Sequence, residues 1–77
     1  MIDFKSSLLS IAAHDDYPDI LLSILKCGVE PYAKKTALWW AATMRRPRTI
    51  KILVDHGTDI KELGSHEQGI INGLLNK

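Results

Sequence analysis

Apolar residues recur along this chain at helical spacing, and they do so twice in the same order. Around a helix advancing ~100° per residue, Leu38, Ala41, Ala42 and Arg45 gather on one side, while Trp39, Trp40, Thr43 and Met44 fall on the other. Leu9, Ala12 and Ala13 repeat the first grouping 29 positions earlier. Alanines on the inner side let a second helix approach almost backbone to backbone. That second helix is predicted to begin at Pro18 and Pro47, since the first helical position needs no N–H partner. Its apolar stripe is Ile20, Leu21, Ile24 and Leu25 in the first copy, and Ile50, Leu53 and Val54 in the second. Gly28 and Gly57 stand where a left-handed residue would end each helix.

Each unit therefore reads as helix, tight turn, helix, glycine stop. Short segments from Tyr32 to Lys35 and from Lys61 to Gly64 are expected to reset the chain between units. A fifth helix is expected from Ser65, where Ser65 and Gln68 have the spacing of a capping box. It carries Ile70, Ile71, Leu74 and Leu75 and would close the stack like a lid. Gly69 and Gly73 weaken it by roughly 1 kcal/mol each relative to alanine, so it must lean on the second unit. Strand signals are absent. The expected organisation is one all-α domain over 1–77, with repeats at about 7–35 and 36–64 and a capping helix at about 65–76.

A fixed period marks one supersecondary unit copied and stacked. In Thr36-Ala37-Leu38-Trp39-Trp40-Ala41-Ala42 and Leu53-Val54-Asp55-His56-Gly57-Thr58-Asp59, the second copy resembles the ankyrin repeat. Ser7-Leu8-Leu9-Ser10-Ile11-Ala12-Ala13 and Ile24-Leu25-Lys26-Cys27-Gly28-Val29-Glu30 resemble it less closely. The departures are specific. The period is 29 where the family has about 33, and the deficit falls in the linker, so the β-turn finger is expected to be short or missing. The family's Gly-His turn is replaced by Arg45-Arg46 and Asp16-Tyr17, and its histidine by Trp39 and Ser10. Another helical-hairpin array, or a small irregular bundle, is the alternative fold. The resemblance implies binding by surface, with the pair after the two alanines, His14-Asp15 and Thr43-Met44, touching a protein partner.

With 77 residues, a chain hides only roughly 60% of its unfolded surface. Fewer than three full repeats are uncomfortable on their own. Three remedies are open: capping by the terminal helices, self-association, or firm folding only on a target. One cysteine, Cys27, excludes an internal disulfide. No apolar run approaches the ~20 residues of a membrane span, and the start MIDFKSSLL lacks the marks of a secretory signal. A cytoplasmic location is the expectation, by elimination. Net charge is +1, yet residues 1–33 carry −3 and residues 34–77 carry +4.

Candidate chemistry is thin. Cys27 and His56 occupy equivalent positions in successive units, ~8–10 Å apart in stacked helices, too far to share one ion easily. No metal and no cofactor is expected. Asp15 and Asp16 are neighbours whose side chains diverge, and no glycine loop follows a strand, so the chain reads as a non-enzyme. The basic residues Arg45, Arg46 and Arg48 with Lys34 and Lys35 invite a nucleic-acid reading. Against it, Asp16 aligns with Arg45 and Asp19 with Arg48, so stacking would pair opposite charges. Trp39 and Trp40 divide between two roles. Trp39 would lie over Ser10 and Trp40 would meet the C-terminal lid, or both would face a partner, where Trp, Met and Arg are favoured.

The best reading of the sequence is a non-enzymatic protein-binding module, a small inhibitor or adaptor of the kind a phage or virus encodes. Its contact residues would be His14, Asp15, Trp39, Trp40, Thr43, Met44, Arg45, Arg46, Lys34 and Lys35. Nucleic-acid association, a homodimer, or the front of a longer array remain as alternatives.

Overall fold

The computed structural model describes residues 4–76, with side chains from Ser7 onward. The charges counted at Asp3, Lys5 and Lys77, and much of the segment weighed as a leader, lie outside the described side chains. Within these bounds the chain forms α1 (Phe4–His14), α2 (Pro18–Cys27), α3 (Pro31–Thr43), α4 (Pro47–Asp55), a short 3-10 turn (Ile60–Glu62) and α5 (Ser65–Leu75). There is no strand among the described residues. The first hairpin, α1 and α2, stacks on the second, α3 and α4, and α5 lies against both α3 and α4. None of these helices is long and apolar enough to cross a membrane.

The 29-residue echo becomes a single core. Leu9 and Leu38, Ala12 and Ala41, Ala13 and Ala42, and Leu21 and Ile50 are all buried as matched pairs. Ala33 and Ala37 join them on α3, so small side chains line the contact of α3 with α1. Ile71 is the buried anchor of α5, with Leu74 half-buried beside it. Leu75, expected on the same stripe, is exposed because α5 has neighbours on one side only.

Both hairpin turns close in the same way. The Tyr17 N–H donates to the Ala12 carbonyl at 2.9 Å, and the Arg46 N–H donates to the Ala41 carbonyl at 2.8 Å. This six-residue closure places the residue just before the donor in the left-handed region. Asp16 has φ 63° and Arg45 φ 55°. Arg45 therefore lies beyond the end of α3, not on its apolar side with Leu38 and Ala42. Gly28 and Gly57, with φ of 89° and 90°, end α2 and α4 as expected.

Several sequence expectations are corrected. Tyr32 to Lys35 are the first turn of α3, not a connector. Pro31 starts that helix where no N–H is needed, and Thr36 sits inside it, its hydroxyl donating to the Tyr32 carbonyl at 3.1 Å. The connector shrinks to Gly28–Glu30, which leaves no room for a β-turn finger. Lys61 to Gly64 does interrupt the helices. There the Asp59 carboxylate accepts from the Lys61 N–H at 2.9 Å, and Leu63 plugs into the core. The capping box at Ser65 does not form. Ser65 is the first helical residue and no side chain caps the helix. Gln68 instead donates backward to the Leu63 carbonyl at 2.7 Å.

Candidate partner-binding surface

Four of the residues singled out from sequence meet on one surface. Trp40 turns its ring edge-on to His14 of α1, at 5.0 Å between centroids and 73° between planes. Trp39 meets Trp40 in the same manner at 4.9 Å and 81°. Such edge-to-face pairs contribute about 0.5–1.5 kcal/mol beyond their area burial. They hold the three rings as a ladder crossing from α1 to α3. His14 Nδ1 lies 2.7 Å from the Asp15 carboxylate. An open groove of about 250 Å³ runs beside the ladder, lined by Ser10, Ile11, His14, Asp15 and Trp40.

The division of labour between the tryptophans differs from the sequence expectation. Trp40 shares a surface with Ser10, and its ring packs on His14 of α1. Trp39 is left 40% exposed, large for an indole already stacked on a neighbour. Trp40 thus supports the stack, and Trp39 offers surface. Thr43 is exposed and Met44 half-buried at the end of α3, next to Arg45 in the turn.

The basic residues do not form one patch. Lys34 and Lys35 lie in the first half of α3, whereas Arg45 and Arg46 follow its far end. Nine residues from Lys34 to Thr43 already span roughly 14 Å at 1.5 Å per residue. Two of the four also carry internal hydrogen bonds. The Lys34 ammonium donates to the His56 carbonyl at 3.3 Å, satisfying a group at the end of α4. Arg46 Nε donates to the His14 carbonyl at 3.3 Å, across the two hairpins.

The expected pairing of Asp16 with Arg45 and of Asp19 with Arg48 does not occur. Equivalent positions in stacked hairpins stand an interhelical spacing apart, so contact is made by residues on facing sides. The tie that does form is the Thr49 hydroxyl donating to the Asp16 carboxylate at 3.4 Å. Thr49, fully buried, was missed from sequence. Its signal was the alignment of Thr49 with Ile20, a polar residue replacing an apolar one inside the repeat.

Cys27 is a free, exposed thiol, and His56 Nδ1 lies 2.9 Å from the Ile52 carbonyl, finishing its own helix. Among the described residues no three His, Cys, Asp or Glu gather where a metal could bind.

Comparison with known proteins agrees with this geometry. The family model of the ankyrin repeat matches residues 33–64, covering α3 from Ala33 onward, then α4 and the 3-10 turn. No curated protein and no solved structure matches the chain. The ankyrin repeat is a non-enzymatic protein–protein interaction module. With a match to that family at its centre and helical hairpins stacked through the rest of its fold, the chain is similar to the ankyrin-repeat proteins.

Proposed function

We propose that the chain binds a protein target through the surface formed by His14, Asp15, Trp39, Thr43, Met44 and Arg45, acting as a small inhibitor or adaptor by occlusion or scaffolding. It performs no covalent chemistry in this role. The observation that carries the reading is Trp39, an indole held rigid by the Trp40 edge yet 40% open to solvent. A pre-ordered aromatic offers contact area at little further entropic cost, which is what binding hot spots exploit. The adjoining groove, with apolar Ile11 and Trp40 beside the Asp15 carboxylate, suits one inserted side chain of a partner.

The separation of the basic residues, and the internal bonds of Lys34 and Arg46, favour a protein over a phosphate backbone. Affinity purification from the native host with wild-type, Trp39→Ala and Thr43→Arg baits tests this. The expected result is a protein retained by the wild type and lost from both variants, each still helical by circular dichroism. Equal retention by all three baits rejects the surface. Binding to random duplex that falls steeply with salt, with a slope set by phosphate contacts, would reject the protein reading itself.

A further inference from the structure

The groove beside the aromatic ladder is lined by groups of two kinds. Ile11, exposed on α1, and the half-buried Trp40 of α3 are its apolar part. The Asp15 carboxylate lines it as well. One imidazole links the two kinds, because His14 meets Trp40 edge-on and has its Nδ1 2.7 Å from Asp15 Oδ1. Asp15 Oδ2 has no hydrogen bond among the described residues, and the side chain is 47% exposed. At about 250 Å³ the groove is smaller than the ~300–1,000 Å³ of a small-molecule pocket. Its size suits one side chain of a larger partner.

Charge selects that side chain. Asp15, Asp16 and Asp19, all exposed, follow one another through the turn and into α2. Arg46 reaches this end of α1 with its Nε on the His14 carbonyl, and three carboxylates against one guanidinium leave the balance negative. Arg45 and Arg48 belong to the next layer, ~8–10 Å away, a distance over which physiological salt screens exposed charges. We infer that the groove holds an arginine side chain of the protein target, its stem on Ile11, its guanidinium against the Trp40 indole and hydrogen-bonded to Asp15. The assignment rests on this surface being the one that binds a protein. Arginine satisfies both kinds of lining at once, since its planar, weakly hydrated head stacks on aromatic rings and pairs with carboxylates through a fork of donors. Lysine, a strongly hydrated point charge, meets the carboxylate but gains less from the indole. An uncharged apolar side chain covers Ile11 and Trp40 and leaves Asp15 dehydrated without a partner.

Nuclear magnetic resonance of the isotope-labelled full chain, titrated with a capped glycine–arginine–glycine peptide, provides the test. The expected result is millimolar affinity, with shifts at the Trp40 indole N–H and at the amides of residues 10–15. The citrulline analogue, of the same shape but uncharged, is expected to bind about tenfold more weakly. The same loss is expected for the arginine peptide on Asp15→Asn, which keeps an oxygen facing His14. The citrulline comparison uses the wild-type chain and so does not depend on a variant folding. Equal binding of the citrulline or the lysine peptide overturns the assignment, as does the absence of shifts at millimolar peptide or their appearance elsewhere. An Asp15→Asn bait in the affinity purification separates this assignment from the protein reading beneath it. A target lost with Trp39→Ala but held undiminished by Asp15→Asn overturns the arginine and leaves the surface standing. Capture of no protein by any bait overturns the surface, and the peptide titration still decides the groove.

Discussion

Arg45 occupies a backbone position that costs it energy, and replacing it with glycine is expected to stabilise the protein. Its φ of 55° puts the Cβ of an L-residue against the backbone, a conflict of roughly 1–2 kcal/mol that glycine does not have. Glycine gives back part of this by its greater freedom in the unfolded chain, about 0.5–1 kcal/mol. The Arg45 side chain is exposed and makes no hydrogen bond or ion pair among the described residues, so little else is lost. The net gain for Arg45→Gly is therefore about 0.5–1 kcal/mol. With an unfolding entropy near 2.1 cal/mol/K per residue, 77 residues convert 1 kcal/mol into roughly 6 °C of melting temperature.

Asp16 is the internal control. It has the same left-handed backbone, with φ of 63°, but aspartate tolerates that region better. Its carboxylate also accepts the Thr49 hydroxyl, whose other surroundings are wholly buried. Asp16→Gly leaves that hydroxyl without its partner, at a cost of about 1–3 kcal/mol, and is expected to destabilise. Urea unfolding followed by far-ultraviolet circular dichroism, at one fixed protein concentration, measures both variants. If Asp16→Gly proves the more stable of the two, or if Arg45→Gly lowers the midpoint, the reasoning from turn geometry fails.

Other expectations concern packing. The Thr58 hydroxyl is buried with no hydrogen-bond partner among the described residues, and the equivalent residue of the first hairpin is Val29. Thr58→Val should therefore gain about 1 kcal/mol in the same urea experiment. Leu38→Ala empties a fully buried site at the centre of α3 and should cost roughly 2–5 kcal/mol. Ala42→Leu, by contrast, fails through excess: it adds volume to a fully buried site and should cost about 1–3 kcal/mol or prevent cooperative folding.

The architecture was readable because helical spacing, proline starts and glycine stops are all local signals, and each was present twice. Pro18, Pro47, Gly28 and Gly57 stand where those signals placed them. What misled was comparison along the sequence in place of across the stack. Aligning Asp16 with Arg45 suggested an ion pair, yet aligned residues are one layer apart and it is Arg46 and Thr49 that face backward. The contact of Trp40 with His14 was missed for the same reason. Positions matching Trp40 face the preceding layer, and positions matching Trp39 do not, a distinction carried by the direction of stacking and not by periodicity. The start of α3 was missed because Thr36 was read as a helix start, although Pro31, five residues earlier, satisfies that role with less conflict.

Hydrogen–deuterium exchange of the chain, free and bound to the protein captured from its host, bears most directly on the assigned surface. Protection is expected in two segments, residues 10–15 at the end of α1 and residues 39–46 from the tryptophans through the second turn, with α2 and the outer side of α4 unchanged. Protection confined to Asp19–Lys26 and Arg48–Asp55, with the tryptophan segment exchanging as in the free chain, would place the partner on the opposite side of the stack and contradict the assignment.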